Sequence, residues 1–176
     1  MIKYCFAQPL YNSNFDSSLL EFQYRTHKQW ESSTTTSFKN FNNISEKSHN
    51  ILVSELSKYT KQVITKEHQI NLYEIWANEY MEKEFQEPHT HPRSHFSFTI
   101  IHKCPEGSGR LKFYNPYEQL EYAHEDIFFK FGFSLFEPLQ EENTIIIWPS
   151  YMKHMVTPGN NKTKRITYSG NFKIIL

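Results

Sequence analysis

The sequence predicts a mainly β (α+β) fold, a sandwich or barrel of short strands with N-terminal helices packed on one sheet. Three observations carry this expectation. Near residue 69 the texture changes from a stretch rich in Ser, Asn, Lys and Thr to β-rich segments separated by Gly, Pro and Asn turns. The hydrophobic period changes there from 3.6 to two. Aromatic residues make up 16% of the chain, and 15 Phe and 11 Tyr supply much of the area to bury.

The elements follow in order. Residues 16–30 read as a short helix, because Ser18 and Glu21 have capping-box spacing with Asp16 just upstream. Residues 31–43 read as loop. Residues 46–66 read as a longer helix, with Leu52, Leu56, Tyr59 and Val63 forming one apolar stripe that must pack on the sheet. Residues 70–80 open the β region, and Phe96, Phe98 and Ile100 share one face of the next strand. Gly107-Ser108-Gly109 makes a turn before Leu111 and Phe113. Residues 127–136 place Ile127, Phe129, Phe131, Phe133 and Leu135 on one face. Residues 144–148 form a buried strand and residues 165–174 the last one. In that strand Arg165, Thr167 and Ser169 share a polar face that alternates with Ile166 and Tyr168, which suits a barrel whose interior binds a polar ligand.

The 176 residues suffice for one domain with a sizeable core. The expected division is a helical preface over residues 1–68 and a β core over residues 69–176. Nineteen Lys+Arg balance nineteen Asp+Glu, so no overall basic field favours nucleic acid. The one basic cluster, Lys162 to Arg165, reads as a solvated turn. Cys5 and Cys104 match no zinc spacing and no small disulfide framework, and read as reduced thiols. No G-x-S-x-G is present, and neither cysteine sits in a nucleophile motif. The N-terminus lacks a long apolar segment and no run nears the ~20 apolar residues of a membrane span. The cytoplasm is the expected location. Few Gly and abundant Asn, Lys and Ile suit an AT-rich genome, bacterial or phage.

Histidine is the informative residue. Of nine, three fall at His89, His91 and His95. On a strand, residues two apart point the same way, so His89 and His91 can aim both imidazoles at one first-row metal ion. His-x-His alone equally describes a hydrogen-bonded pair. His95 has the same parity but lies ~13 Å further along an extended chain, so it reaches a metal only where Pro92 turns the backbone. Further on, a buried strand, a Pro-containing turn and a single histidine, His154, precede Arg165.

These features resemble the 2-oxoglutarate/Fe(II)-dependent dioxygenases, most nearly their small bacterial and phage branch. The resembling blocks are Trp76-Ala77-Asn78, Glu87-Pro88-His89-Thr90-His91-Pro92-Arg93-Ser94, Pro105 to Phe113, Trp148-Pro149-Ser150-Tyr151-Met152-Lys153-His154, and Arg165 to Phe172. They span most of residues 70–172. The resemblance implies a distorted double-stranded β-helix, jelly-roll or cupin-like. It implies His89 as first metal ligand, His154 as distal ligand, and Arg165 with Thr167 on the far carboxylate of 2-oxoglutarate. Fe(II), 2-oxoglutarate and O2 are the implied cofactor and cosubstrates. The implied reaction oxidises a substrate, by hydroxylation, while 2-oxoglutarate is decarboxylated to succinate.

The departure from the family pattern is His91, which stands where such enzymes carry Asp or Glu. Three readings stand: a three-His metal site, a carboxylate brought in from elsewhere such as Glu87, or a degenerate site or one for another metal. Tyr80 and Asn78 are further candidates for the cosubstrate site. Trp76, Trp148, Tyr73 and Asn171 read as structural residues. Two other functions fit the same residues: a three-His cupin-type metalloenzyme that does not use 2-oxoglutarate, and a non-catalytic β-sandwich binding module. Loops 31–43 and 115–126 are expected to border the barrel mouth. The substrate, a small molecule or a peptide, and the oligomeric state are not legible.

Overall fold

Ser45 opens the helix where the apolar stripe begins. In the computed structural model, which describes residues 8–29, 33–116 and 135–176, its hydroxyl accepts from the Ser48 N–H at 3.2 Å and caps helix α1 (Glu46–Val63). Leu52, Leu56 and Tyr59 are buried, while Val63 at the last turn stays exposed. The expected stripe therefore packs over two turns and frays at its end.

Residues 16–29 do not form the expected α-helix. Asp16 accepts from the Ser18 N–H at 3.0 Å but caps only a 3-10 turn, Ser17–Leu19. The chain on either side is extended, as β1 (Tyr11–Asn14), β2 (Phe22–Tyr24) and β3 (His27–Lys28). Tertiary contacts override the local capping signal. The Glu21 N–H donates to Ser48 Oγ at 2.8 Å, and the Phe22 ring meets Tyr168 edge-on at 5.2 Å. Within the expected loop, β4 (Thr35–Thr36) and the start of β5 (Asn42–Ile44) also pair.

The β region supplies β6 (Gln69–Tyr80), β7 (Gln86–His89), β8 (Phe96–Lys103), β9 (Leu111–Tyr114), β10 (Leu135–Phe136), β11 (Thr144–Pro149), β12 (His154–Val156) and β13 (Arg165–Ile175). The larger sheet has seven strands in the order β1-β11-β8-β13-β6-β4-β3, and the smaller has four in the order β10-β9-β12-β7. All pairings are antiparallel. Together they form the distorted double-stranded β-helix. Residues 127–134, Cys5, His124 and most of the 115–126 loop lie outside the described residues.

Period-two alternation divides the larger sheet between two cores. Ile145 and Ile147 pack with Phe98, Tyr168 and Phe172 beneath α1, while Ile146 and Trp148 point to the other side with Phe113 and Val156. One irregularity matters for the site. Asn171 pairs with Glu74 and Phe172 with Leu72, so Tyr73 is an extra residue in β6. This β-bulge reverses side-chain parity. Ile70 and Leu72 pack on the helix side, whereas Trp76, Asn78 and Tyr80 line the barrel interior.

Two smaller expectations hold. Gly107 sits at φ +78 in its turn, a conformation that favours glycine. Of the basic cluster, Lys162 and Lys164 pair at the surface with Glu82 (3.1 Å) and Glu79 (2.7 Å), as a solvated turn would, but Arg165 departs from that expectation and is buried. Among the described residues, no helix is long and apolar enough to cross a membrane.

Candidate metal centre

The smaller sheet brings the first two histidines together. His89 closes β7 and His154 opens β12; they are direct cross-strand partners with ring centroids 4.3 Å apart. His91 lies just past the end of β7, before a turn through Pro92 and Arg93 (φ 70). Its backbone N–H donates to the Ser150 carbonyl at 3.0 Å, which holds it against the turn leading to His154. The His91 and His154 rings lie parallel, 6° apart, and their Nε2 atoms are separated by 3.2 Å.

Hydrogen bonds orient two of the rings. His89 Nδ1 lies 2.7 Å from the Glu87 carbonyl and His154 Nδ1 lies 2.9 Å from the Met152 carbonyl. A carbonyl only accepts, so each Nδ1 carries the proton and each Nε2 presents a lone pair. Burial disfavours the imidazolium. It lowers His89, holds His91 down to about 4, and places His154 well below the ordinary histidine value, the neighbouring histidines adding to the last two.

These features fit a first-row metal. One nitrogen from each of His89, His91 and His154 lies within 4.8 Å of the others. Two nitrogens bound at about 2.1 Å to one ion, at a right angle, stand about 3 Å apart, close to the Nε2 separation of His91 and His154. Neutral imidazole is the ligand form, and it suits iron.

The depressed values have a consequence for the metal-free fold. Between about pH 6.5 and 4 the unfolded chain binds protons that the folded histidines refuse, so the slope of stability with pH is positive. Stability is expected to be complete above about 6.5 and to be lost as pH falls from there, His91 alone contributing about 3 kcal/mol by pH 4. Urea melts of the apoprotein from pH 4 to 7 check this. A flat profile would show that the rings are not desolvated.

Arg165 sits on the opposite wall, on the predicted polar face of β13. It is 1% exposed, and its Nε and Nη1 have no hydrogen-bond partner. Nη2 donates to Gln140 Oε1 at 3.4 Å, and the guanidinium lies 5.2 Å from the Tyr80 ring centre. Burial lowers its pKa from the ordinary arginine value. Unpaired N–H groups on a buried cation are costly, so this guanidinium calls for an anion. It shares with the three histidines a cavity of about 60 Å³, which Thr167, Ser169, Asn78 and Tyr80 also line.

The other predicted residues are placed as follows. The Asn78 side-chain Oδ1 accepts from Thr36 Oγ1 at 2.7 Å. Glu87 offers His89 its backbone carbonyl, while its carboxylate accepts from Gln86 at 3.2 Å. Among the described residues no carboxylate joins the three-nitrogen cluster. His95 is not brought in. The chain does turn at Pro92, but it carries His95 to the surface, where Nδ1 accepts from the Ile174 N–H at 3.0 Å.

Three residues read as structural prove to adjoin the site. Trp76 stacks on His91 at 5.7 Å. Trp148 meets His154 edge-on at 4.9 Å, with its buried indole N–H unpartnered. Asn171 lines the same groove as His91. Their parity with Asn78, Ile146 and Thr167 was the signal available, obscured for Trp76 by the bulge at Tyr73.

Comparison with known proteins agrees with this geometry. No curated protein sequence matches the chain. Among solved structures it is similar to an oxidoreductase of the 2OG-Fe(II) oxygenase family from Burkholderia pseudomallei, at 12% identity and a TM-score of 0.54, over 75% of this chain and 61% of that one. The chain thus spans less than two thirds of that protein. It is also similar to a prolyl-4-hydroxylase from Pseudomonas putida, at 11% identity and 0.55, over 84% and 77%. HygX from Streptomyces hygroscopicus, solved with nickel, 2-oxoglutarate and hygromycin B bound, is similar at 10% identity and 0.60, over 94% and 83%. At such identities the likeness is one of fold. A family model covers residues 74–171, more than half of the chain and the stretch that holds the histidines and Arg165, and on that match the chain belongs to the family described as "Putative 2OG-Fe(II) oxygenase".

Proposed function

We propose that the chain is a 2-oxoglutarate- and Fe(II)-dependent dioxygenase that oxidises, by hydroxylation, a small molecule or a peptide. The observation that carries this reading is the pairing, in one cavity, of three neutral imidazoles with a buried guanidinium whose Nε and Nη1 have no hydrogen-bond partner. His89, His91 and His154 hold the metal. Arg165 grips the far carboxylate of 2-oxoglutarate, because a guanidinium fork matches a carboxylate through two parallel hydrogen bonds. The Thr167 hydroxyl donates to the same group. Burial raises the Tyr80 phenol to about 12, so it stays protonated and able to donate at neutral pH. Iron, when bound, would supply the oxidation with O2, one oxygen atom entering the substrate and the other entering succinate as 2-oxoglutarate loses CO2. Trp76 and Trp148 wall the cavity against water. A groove of about 710 Å³ shares His89, His91 and Trp76 with the cavity and gives the substrate its approach, past Phe38 and Tyr73.

Among the described residues no carboxylate joins the histidine cluster, which favours a second reading, a three-His metalloenzyme that uses no 2-oxoglutarate. Anaerobic titration of the apoprotein with Fe(II), then 2-oxoglutarate, separates the two. A visible metal-to-ligand charge-transfer band, lost in His89→Ala, is expected. Iron uptake with no band would favour the second reading, and no uptake would sink both.

A further inference from the structure

Trp148 comes inward from β11 by the same alternation that brings Ile146 there, and it packs with Tyr80, Leu111, Phe113 and Val156. It is 2% exposed, and its indole Nε1–H has no hydrogen-bond partner. Rings stand around it. It meets His154 edge-on at 4.9 Å, Phe113 at 5.2 Å and His91 at 6.5 Å, with interplanar angles of 68°, 72° and 75°. The polar side chains of its register row, Ser97 and Asn171, bond each other at 2.8 Å and do not take the N–H.

An indole N–H donates and cannot accept. Buried without an acceptor, it costs free energy that an apolar ring of similar shape would not. The apolar groups packed on Trp148 offer none, and the residue otherwise lines the cavity it shares with the three histidines and Arg165. The acceptor therefore comes from what the cavity binds. A metal ion has no lone pair to offer, but an oxygen held beside it does.

Position selects the oxygen. Arg165 opens β13 in register with Tyr80, whereas Trp148 stands in the row of Ser97 and Asn171 and against His154. The two orphan donors thus serve different ends of one cavity, and 2-oxoglutarate has a carboxylate at each end. We infer that Trp148 is a cosubstrate-binding residue: its indole N–H donates to the carboxylate beside the keto group, at the metal end, while Arg165 holds the far one. The inference rests on the proposed use of 2-oxoglutarate. Charge explains the residue type. Three neutral imidazoles leave the charge of a bound metal uncompensated, so a Lys or Arg here would set a second cation against it. An indole donates without adding charge.

The test uses the full chain loaded with Zn(II), a diamagnetic ion that nitrogen ligands hold. The indole N–H resonance of Trp148, one of three tryptophans, is identified by its contacts with the His154 ring. It is expected to move downfield along the binding curve as 2-oxoglutarate is added. With 4-oxopentanoate, which keeps the keto group and the far carboxylate but lacks the near one, only a small fraction of that shift is expected. Trp148→Phe removes the N–H and keeps a ring. It is expected to weaken 2-oxoglutarate binding about tenfold or more, with Zn(II) and 4-oxopentanoate affinities within twofold of wild type. A resonance that stays in place while 2-oxoglutarate binds overturns the inference, whether or not the variant folds. So does a variant that loses both ligands equally, since a ring that only fills space acts on both alike. Wild-type protein that holds Zn(II) but binds no 2-oxoglutarate overturns the cosubstrate reading itself, a failure seen before Trp148 is altered.

Discussion

Arg165→Met is expected to abolish 2-oxoglutarate binding and to leave the metal-free protein at least as stable as wild type. The two halves have one cause. The guanidinium is 1% exposed with Nε and Nη1 unpartnered, so the folded apoprotein carries the desolvation of a cation with little return. An unbranched apolar side chain of similar length removes that cost and still fills space between Tyr80 and Gln140; replacing buried ionic groups by apolar ones is commonly neutral or stabilising by about 1–4 kcal/mol. The cosubstrate, however, loses its only cationic partner on that wall among the described residues. Thermal melts of the metal-loaded protein check both. Cosubstrate at a hundred times its Kd stabilises wild type by about 2.7 kcal/mol, and the variant should show none of it. Arg165→Lys, which keeps the charge and loses the fork, is expected to fall between. A methionine variant that unfolds, or that still responds to 2-oxoglutarate, would place Arg165 in the framework and not in the site.

His154→Ala is expected to have the largest effect on metal. It removes one of three nitrogens, so the loss should exceed the 10–100-fold typical of changes one shell out. Competition titration with Co(II) measures it. His91→Asp supplies the control, because an oxygen ligand replaces the nitrogen and metal binding should survive. If both variants bind like wild type, the histidines are a packed cluster with no ligand role. If His91→Asp alone abolishes binding, the ring has a task that a carboxylate cannot perform.

Much of the site was legible because strand parity is a local property. Arg165, Thr167 and Ser169 could be placed on one inward face from alternation with Ile166 and Tyr168, and all three line the cavity. The apolar stripe of the helix, Leu52, Leu56 and Tyr59, was equally local. The capping signal at Asp16 and Ser18 was real too, since the N-cap bond forms. It could not become a helix because Phe22 and Tyr24 are drawn into the core under α1, and that attraction acts between residues distant in sequence.

The sequence by itself determined the inventory of candidates: histidines at positions 89, 91, 95 and 154, one arginine on a polar face, and no acidic residue two places after His89. Residue type and parity suffice for that. Only the tertiary structure decided which groups converge. Antiparallel pairing of β7 with β12 put His89 against His154, and a turn at Pro92 and Arg93 sent His95 to the surface. One extra residue at Tyr73 brought Glu74 alongside Asn171. A bulge is invisible to periodicity, because it exists only where two strands of unequal length are made to pair.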